Sequence, residues 1–185
     1  LFTDDCRITD NTITTLAVAK AIMEAEKAKG PSISGFRYDG EYYSLVESLT
    51  VKHIREIRRK YPYCGYGGIF SRWVFGGDFE EYDGGDSGAA VRISPVDFAA
   101  RTQSEAAKLS EAVARATQNN EEVIKGAEAV AAAIFMAHSG FTKREIRKKI
   151  YRGYYPLNSS QETVPQAIET FLESASFEDA IRASI

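Results

Sequence analysis

The chain is poor in cysteine, in histidine and in long apolar runs, and each shortage removes a class of protein. Cys6 and Cys64 are the two cysteines of 185 residues, and they lie too far apart for a disulfide framework or a zinc spacing. Reduced thiols in a cytoplasmic protein are the simplest reading. No apolar run approaches the roughly 20 residues that span a bilayer, so no membrane partner is expected. The opening LFTDDCRITD is polar and acidic, unlike a secretory leader. The formal net charge of −3 gives no reason to expect a nucleic-acid partner. Two basic stretches, LTVKHIREIRRKY and TKREIRKKIYR, read as solvated helix faces, because glutamates are interleaved along the chain. The two histidines, His53 and His138, fall inside helical patterns and read as surface or packing residues. No internal repeat and no low-complexity segment is present. Strand signal is also scarce: SGFRYDGEYY is the one stretch that reads as a possible short hairpin.

What is there is helical. Apolar residues make up 44% and charged residues 26%, an ordinary balance for one compact domain of this length. Thr9 or Asp10 can cap a helix whose apolar positions Ile13, Leu16, Ala17 and Ala21 step by three and four. Gly30-Pro31 stops it. A second helix is predicted over Tyr43 to Lys60, with Leu45, Val46, Leu49, Ile54 and Ile57 on one side. A third is predicted over Ser104 to Thr117, with Ser104 as its cap. Glu121 to His138 is apolar almost all round and predicts a central buried helix closed by Gly140. Thr142 and Glu145 form a capping box for a basic helix. Two further helices are predicted over Val164 to Glu173, with Pro165 at a tolerated early position, and Phe177 to Ile185. Tyr61 to Asp86 is rich in glycine and aromatics without a clean period, and reads as a functional loop region with short helical turns. The expected fold is all-α, a multi-helix bundle.

Two stretches carry candidate chemistry. GGDSGAAVR contains the Gly-Asp-Ser-Gly of serine-protease nucleophile loops, but that chemistry needs a β-barrel and a placed His and Asp, which a helical chain with these two histidines does not offer. The small residues Gly88, Ala89 and Ala90 instead open a turn or helix where a ligand can approach backbone N–H groups, a setting that suits phosphate. A tight turn without ligand explains the stretch equally well. The triplet Thr9-Asp10-Asn11 offers clustered oxygens of the kind hard cations take. On its own, a helix cap is the commoner role.

Taken together, these stretches resemble the ADP-ribosylglycohydrolase family. CRITDNTITTLAVAKAI is similar to the family's Cys-Arg-Phe-Thr-Asp-Asp-Thr and following helix. KYPYCGYGGIFSRWVF, YDGGDSGAAVRISP, TQNNEEVIKGAEAVAAAIFMA and TVPQAIETFLESASFEDAIRASI resemble later family motifs, in order and at family-like spacing. The resemblance implies an orthogonal all-α bundle that holds two Mg²⁺ ions in a cleft. It also implies hydrolysis of the N- or O-glycosidic bond that joins ADP-ribose to a protein side chain. The implied partner is an ADP-ribosylated protein or ADP-ribose itself. Thr9, Asp10 and Asn11 fall on metal-ligand positions. Asp86, Ser87, Gly88 and Ala89, with Gln118, Asn119 and Asn120, fall on ADP-ribose-binding positions.

The chain departs from the pattern at several of these positions. Asn11 stands where the motif has a second Asp. Asp86-Ser87-Gly88 stands for Gly-Asn-Gly and places a carboxylate where phosphates would come. Gln118 and Asn120 replace two histidines. The family's N-terminal Gly-Asp…Glu segment and its closing Gly-Gly-Asp-Ser-Asp-Thr are absent from the sequence. An enzyme with altered loops is one account; a degenerate member with weak or lost hydrolysis is the other. Truncation would leave Asn11, Ser87, Gln118 and Asn120 unexplained, which favours degeneration. A non-catalytic nucleotide- or protein-binding module, or a structural protein, is the alternative.

Overall fold

The computed structural model describes residues 6–30, 38–75, 87–154 and 163–184. Their order is α1 (Asp10–Lys29), α2 (Gly40–Lys60), α3 (Gly68–Phe75), α4 (Gly88–Val91), α5 (Pro95–Ala99), α6 (Gln103–Arg115), α7 (Glu121–His138), α8 (Lys143–Gly153), α9 (Thr163–Glu173) and α10 (Phe177–Ala183). Among the described residues the secondary structure is helical throughout, as the apolar periodicities predict.

Helix α1 lies along α2. Val18, Ala21, Ile22 and Ala25 meet Val46 and Leu49, all buried. The alanines let the two backbones approach. Polar groups lock the pair at two points. The Tyr38 and Tyr42 hydroxyls donate to Glu26 Oε1 at 2.5 and 3.0 Å, and their rings stack with centroids 4.1 Å apart. Further along, the buried His53 has Nε2 2.7 Å from Glu24 Oε2 and Nδ1 3.2 Å from Glu56 Oε2. This is a helix-packing histidine, as the sequence suggests. Leu16 is a correction: its spacing matches the apolar stripe, yet it is 54% exposed. The stripe of α1 is narrower than the period implies.

Helix α7 is the central buried helix. It packs against α4, α5, α6, α8 and α9, and Ala127, Ala129, Ala131 and Ala132 along it are almost fully buried. Its start is fixed by the Asn120 side chain, which accepts from the Glu122 and Val123 N–H groups at 2.9 and 3.4 Å. Its end is fixed by Gly140, whose φ of +83° lies in the left-handed region that a side chain disfavours. The capping box of α8 forms as predicted: Thr142 Oγ1 accepts from Glu145 N–H at 3.3 Å, and Glu145 Oε2 accepts from Thr142 N–H at 2.8 Å.

Three local expectations are corrected. The described part of SGFRYDGEYY opens α2 and forms no hairpin. Asp39 is the N-cap, accepting from Tyr42 N–H at 2.9 Å, and a capping carboxylate outweighs the aromatic alternation that suggested strands. Helix α6 is capped by Thr102 and not by Ser104, with Thr102 Oγ1 accepting from Glu105 N–H at 3.1 Å. The last helix is assigned to Ala183, and Ile185 lies outside the described residues. The glycine-rich region after Tyr61 does carry a helix, α3, and its stretch 76–86 lies outside the described residues.

Candidate functional site

Asp10 occupies the first position of α1, where its carboxylate faces the positive end of the helix. Thr9 is the N-cap residue, but its side chain makes no capping bond. The backbone is held from outside instead. Asp10 N–H donates to the Cys64 carbonyl at 2.8 Å, so the loop between α2 and α3 fixes the first motif in place. Asp10 Oδ1 accepts from Asn11 N–H at 2.9 Å, and Asn11 itself is exposed. Neither Cys6 nor Cys64 is part of a disulfide.

Asp10 also feels, through space, a cation that sequence reasoning assigned to a solvated face. Arg58, in the last turn of α2, is fully buried. Its guanidinium donates to the Phe70 carbonyl at 3.0 Å and to Ser71 Oγ, and lies 3.7 Å from the centroid of the Tyr66 ring. Burial pulls its pKa down, while Tyr66 and Asp10 pull it back up. The Tyr66 hydroxyl is pushed up to about 12, chiefly by burial, with Cys64 and Asp10 adding to the rise and Arg58 opposing it. Asp10, Arg58, Cys64 and Tyr66 therefore form one electrostatic cluster.

The other two motifs meet around a second buried arginine. Arg92 follows α4 and is 2% exposed. It donates to the Val113 carbonyl at 3.0 Å and to Thr117 Oγ1 at 2.6 Å. That pins the Ser87–Gly88–Ala89 turn to the end of α6, directly before Gln118, Asn119 and Asn120. Helix α4 also touches α1. The folded chain thus brings the first, third and fourth motif stretches to neighbouring elements.

The residues expected at the nucleotide carry structural duties. Gln118 is 2% exposed. Asn120 caps α7 with its side chain. Asn119 is exposed and accepts weakly from Arg115 at 3.5 Å. Ser87 stands before α4 without a side-chain capping bond, Gly88 opens the helix and Ala89 is buried. Asp86 lies outside the described residues. For metal, the described residues contain no group of three or more His, Cys, Asp or Glu side chains that could hold an ion. With a single carboxylate at the motif and a buried cation acting on it through space, they do not fit a two-ion site by themselves.

Two cavities are lined by none of the described residues expected at metal or nucleotide. One is an open groove of about 680 Å³ between α8, α9 and α10, with Glu169, Glu173 and Asp179 among its walls. The other, of about 410 Å³, lies between α5, the last turns of α7, and α9. Asp97 and His138 line it, joined at 2.6 Å between Oδ2 and Nδ1. His138 is thus a surface residue tied to a buried carboxylate.

Among the described residues the fold is all-helical, and the first, third and fourth motif stretches fall on α1, α4 and α7, with α4 touching both of the others. A family model described as ADP-ribosylglycohydrolase matches residues 4–185, and the chain belongs to that family. No curated protein and no solved structure gave a match. Among the described residues, no helix is long and apolar enough to cross a membrane.

Arg58, Arg92 and the Asp97–His138 pair were missed by sequence reasoning. For the arginines a weak signal exists: each adjoins a motif stretch that is otherwise small or aromatic. For Asp97 and His138, 41 positions apart, no local signal exists.

Proposed function

We propose that this chain is an ADP-ribosyl-recognising domain in which the hydrolytic reaction of the family is weak or lost. The observation that carries the reading is the electrostatic state of the first motif. Asp10 is its one carboxylate, and the charge of the buried Arg58 acts on it through space. A fixed positive charge offsets the attraction that Asp10 would exert on a dication. Asn11 supplies a neutral amide where the family motif has a second carboxylate, and an amide oxygen is a weaker ligand for Mg²⁺.

The recognition half of the reading rests on the turn held by Arg92. Arg92 ties the end of α4 to Thr117, next to Gln118, and a small-residue turn lets a ligand approach backbone N–H groups. By the family resemblance Asp86 falls on a nucleotide position, and a carboxylate at such a position repels phosphate. The substrate class is a protein bearing ADP-ribose, and the cytoplasm is the compartment in which two free thiols are expected to persist.

The test is release of ADP-ribose from ADP-ribosyl-arginine and ADP-ribosyl-serine proteins with Mg²⁺ added. Little or no turnover is expected, together with a rise in melting temperature on adding ADP-ribose. Robust turnover would overturn the degenerate reading. A melting temperature indifferent to both ADP-ribose and Mg²⁺ would replace it with a structural role. Asn11→Asp restores the missing charge and should tighten Mg²⁺ binding measured by calorimetry; an unchanged isotherm counts against any surviving ion position.

A further inference from the structure

The groove of about 680 Å³ between α8, α9 and α10 holds none of the residues expected at metal or nucleotide, and its charges do not balance. Glu169 and Glu173 on α9 and Asp179 on α10 put three carboxylates on its walls, and no cationic residue lines it among those described. Arg147 of α8 serves two of them from the side, at 3.1 Å from Glu169 Oε2 and 3.7 Å from Glu173 Oε1. The exposed Asp179 carboxylate has no partner among the described residues, and the Glu173 side chain is 72% exposed. One arginine against three carboxylates leaves an excess of negative charge open to solvent. Tyr151, Pro165 and Ala183 add apolar surface to the same groove.

The opposite charge lies on the next face of α8. Arg147 and Tyr151, four positions apart, share the side of the helix that meets α9 and the groove. Arg144, Lys148 and Arg152 repeat at the same interval, about 100° further round the helix, so their stripe borders the groove. All three are exposed, and none makes an ion pair among the described residues. The one glutamate of α8, Glu145, is taken up by the capping box with Thr142. An unpaired cationic stripe beside an acidic groove makes one self-complementary surface.

We propose that this face joins two copies of the chain about a two-fold axis. The α8 stripe of each copy lies along the groove of the other, with Lys148 and Arg152 set against Glu173 and Asp179. A basic peptide from another protein would satisfy the groove and leave the stripe unpaired, whereas a second copy satisfies both. Helix α10 has seven residues and buries none of them in the single chain. Helices that short are marginal in water unless something packs on them, and the second copy covers the side that carries Asp179 and Ala183. A face this polar and open suits a reversible dimer and not an obligate one. The proposal is independent of the ADP-ribose reading, because no residue expected at the nucleotide takes part.

The test is sedimentation velocity of the chain from about 1 µM to about 1 mM, in about 50 mM and about 500 mM NaCl. Dimers should form at low salt, and high salt should weaken association about tenfold. Lys148→Glu with Arg152→Glu, and Glu173→Lys with Asp179→Lys, change exposed residues, and each pair should give a monomer of unchanged helix content. Mixed in equal amounts, the two monomeric variants should associate again, because both contacts then join opposite charges. Amide exchange across residues 144–152 and 166–183 should slow as the dimer forms. If the groove variant does not fold, the stripe variant and the salt dependence decide. A monomer at every concentration, a dimer that survives the stripe reversal, or folded variants that stay apart when mixed would overturn the proposal.

Discussion

The two ends of α7 face opposite demands. At the N-terminal end the residues expected to meet a nucleotide are absorbed by the fold: Asn120 caps the helix, Gln118 is buried and Arg92 ties the preceding turn to α4. At the C-terminal end a carboxylate oxygen of Asp97 is left without a donor beside open apolar space. The first end puts most of its polar groups to structural use; the second ties one carboxylate oxygen to a surface histidine. Resemblance to a motif thus marks where side chains are expected at a ligand, and the fold decides what else those side chains must do.

The sharpest way to break this contrast is at Arg92. Arg92→Met keeps the bulk but leaves the Val113 carbonyl and Thr117 hydroxyl short of a donor, and should cost about 3 kcal/mol in urea unfolding. Hydrogen exchange should rise first across residues 113–124, where Arg92 holds the turn, while residues near His138 stay protected. Uniform loss of protection along α7 would show that the two ends are not separately held.

A smaller effect separates the ends directly. Asn120→Ala removes the cap and should cost about 1 kcal/mol. His138→Ala strips Asp97 of its one partner and should cost about 1–2 kcal/mol, because the remaining carboxylate is buried and uncompensated. Combining His138→Ala with Asp97→Asn should recover part of that loss, whereas combining it with Asn120→Ala should simply add. Thermal unfolding of the single and double variants checks both statements.

How much of this was legible in the sequence follows the range of the interactions. The bounds of α7 and the capping box of α8 are encoded within four residues of each terminus, so the reading of Glu121 to His138 and of Thr142 with Glu145 agrees with the fold. Leu16 has the right spacing but no neighbour over it, and spacing alone does not reveal the neighbour. Asp39 lay hidden inside an aromatic alternation that resembled a hairpin. Arg58 and Arg92 resemble surface charges until the chain folds, because Arg58 meets Phe70 across 12 positions and Arg92 meets Thr117 across 25. The candidate nucleotide positions were legible only through the family resemblance, and their structural roles, as cap and buried turn, only through the fold.

The middle of α7 offers the gentlest test. Glu128 has its pKa raised by burial first and by the Glu111 and Glu121 carboxylates next, with Arg115 opposing. A carboxyl whose pKa is higher in the fold than in the unfolded chain opposes folding once it is charged. The penalty begins as pH rises through the unfolded value of about 4.3 and is complete above the raised folded value. Glu128→Gln should therefore raise the melting temperature at pH 7, with the gain shrinking to nothing below pH of about 4. Because Glu128 lies between the two ends, the same substitution should leave any ADP-ribose response unchanged. A gain that persists undiminished at acid pH would mean that the carboxylate is not the source of the strain, and that Gln packs better for reasons of shape.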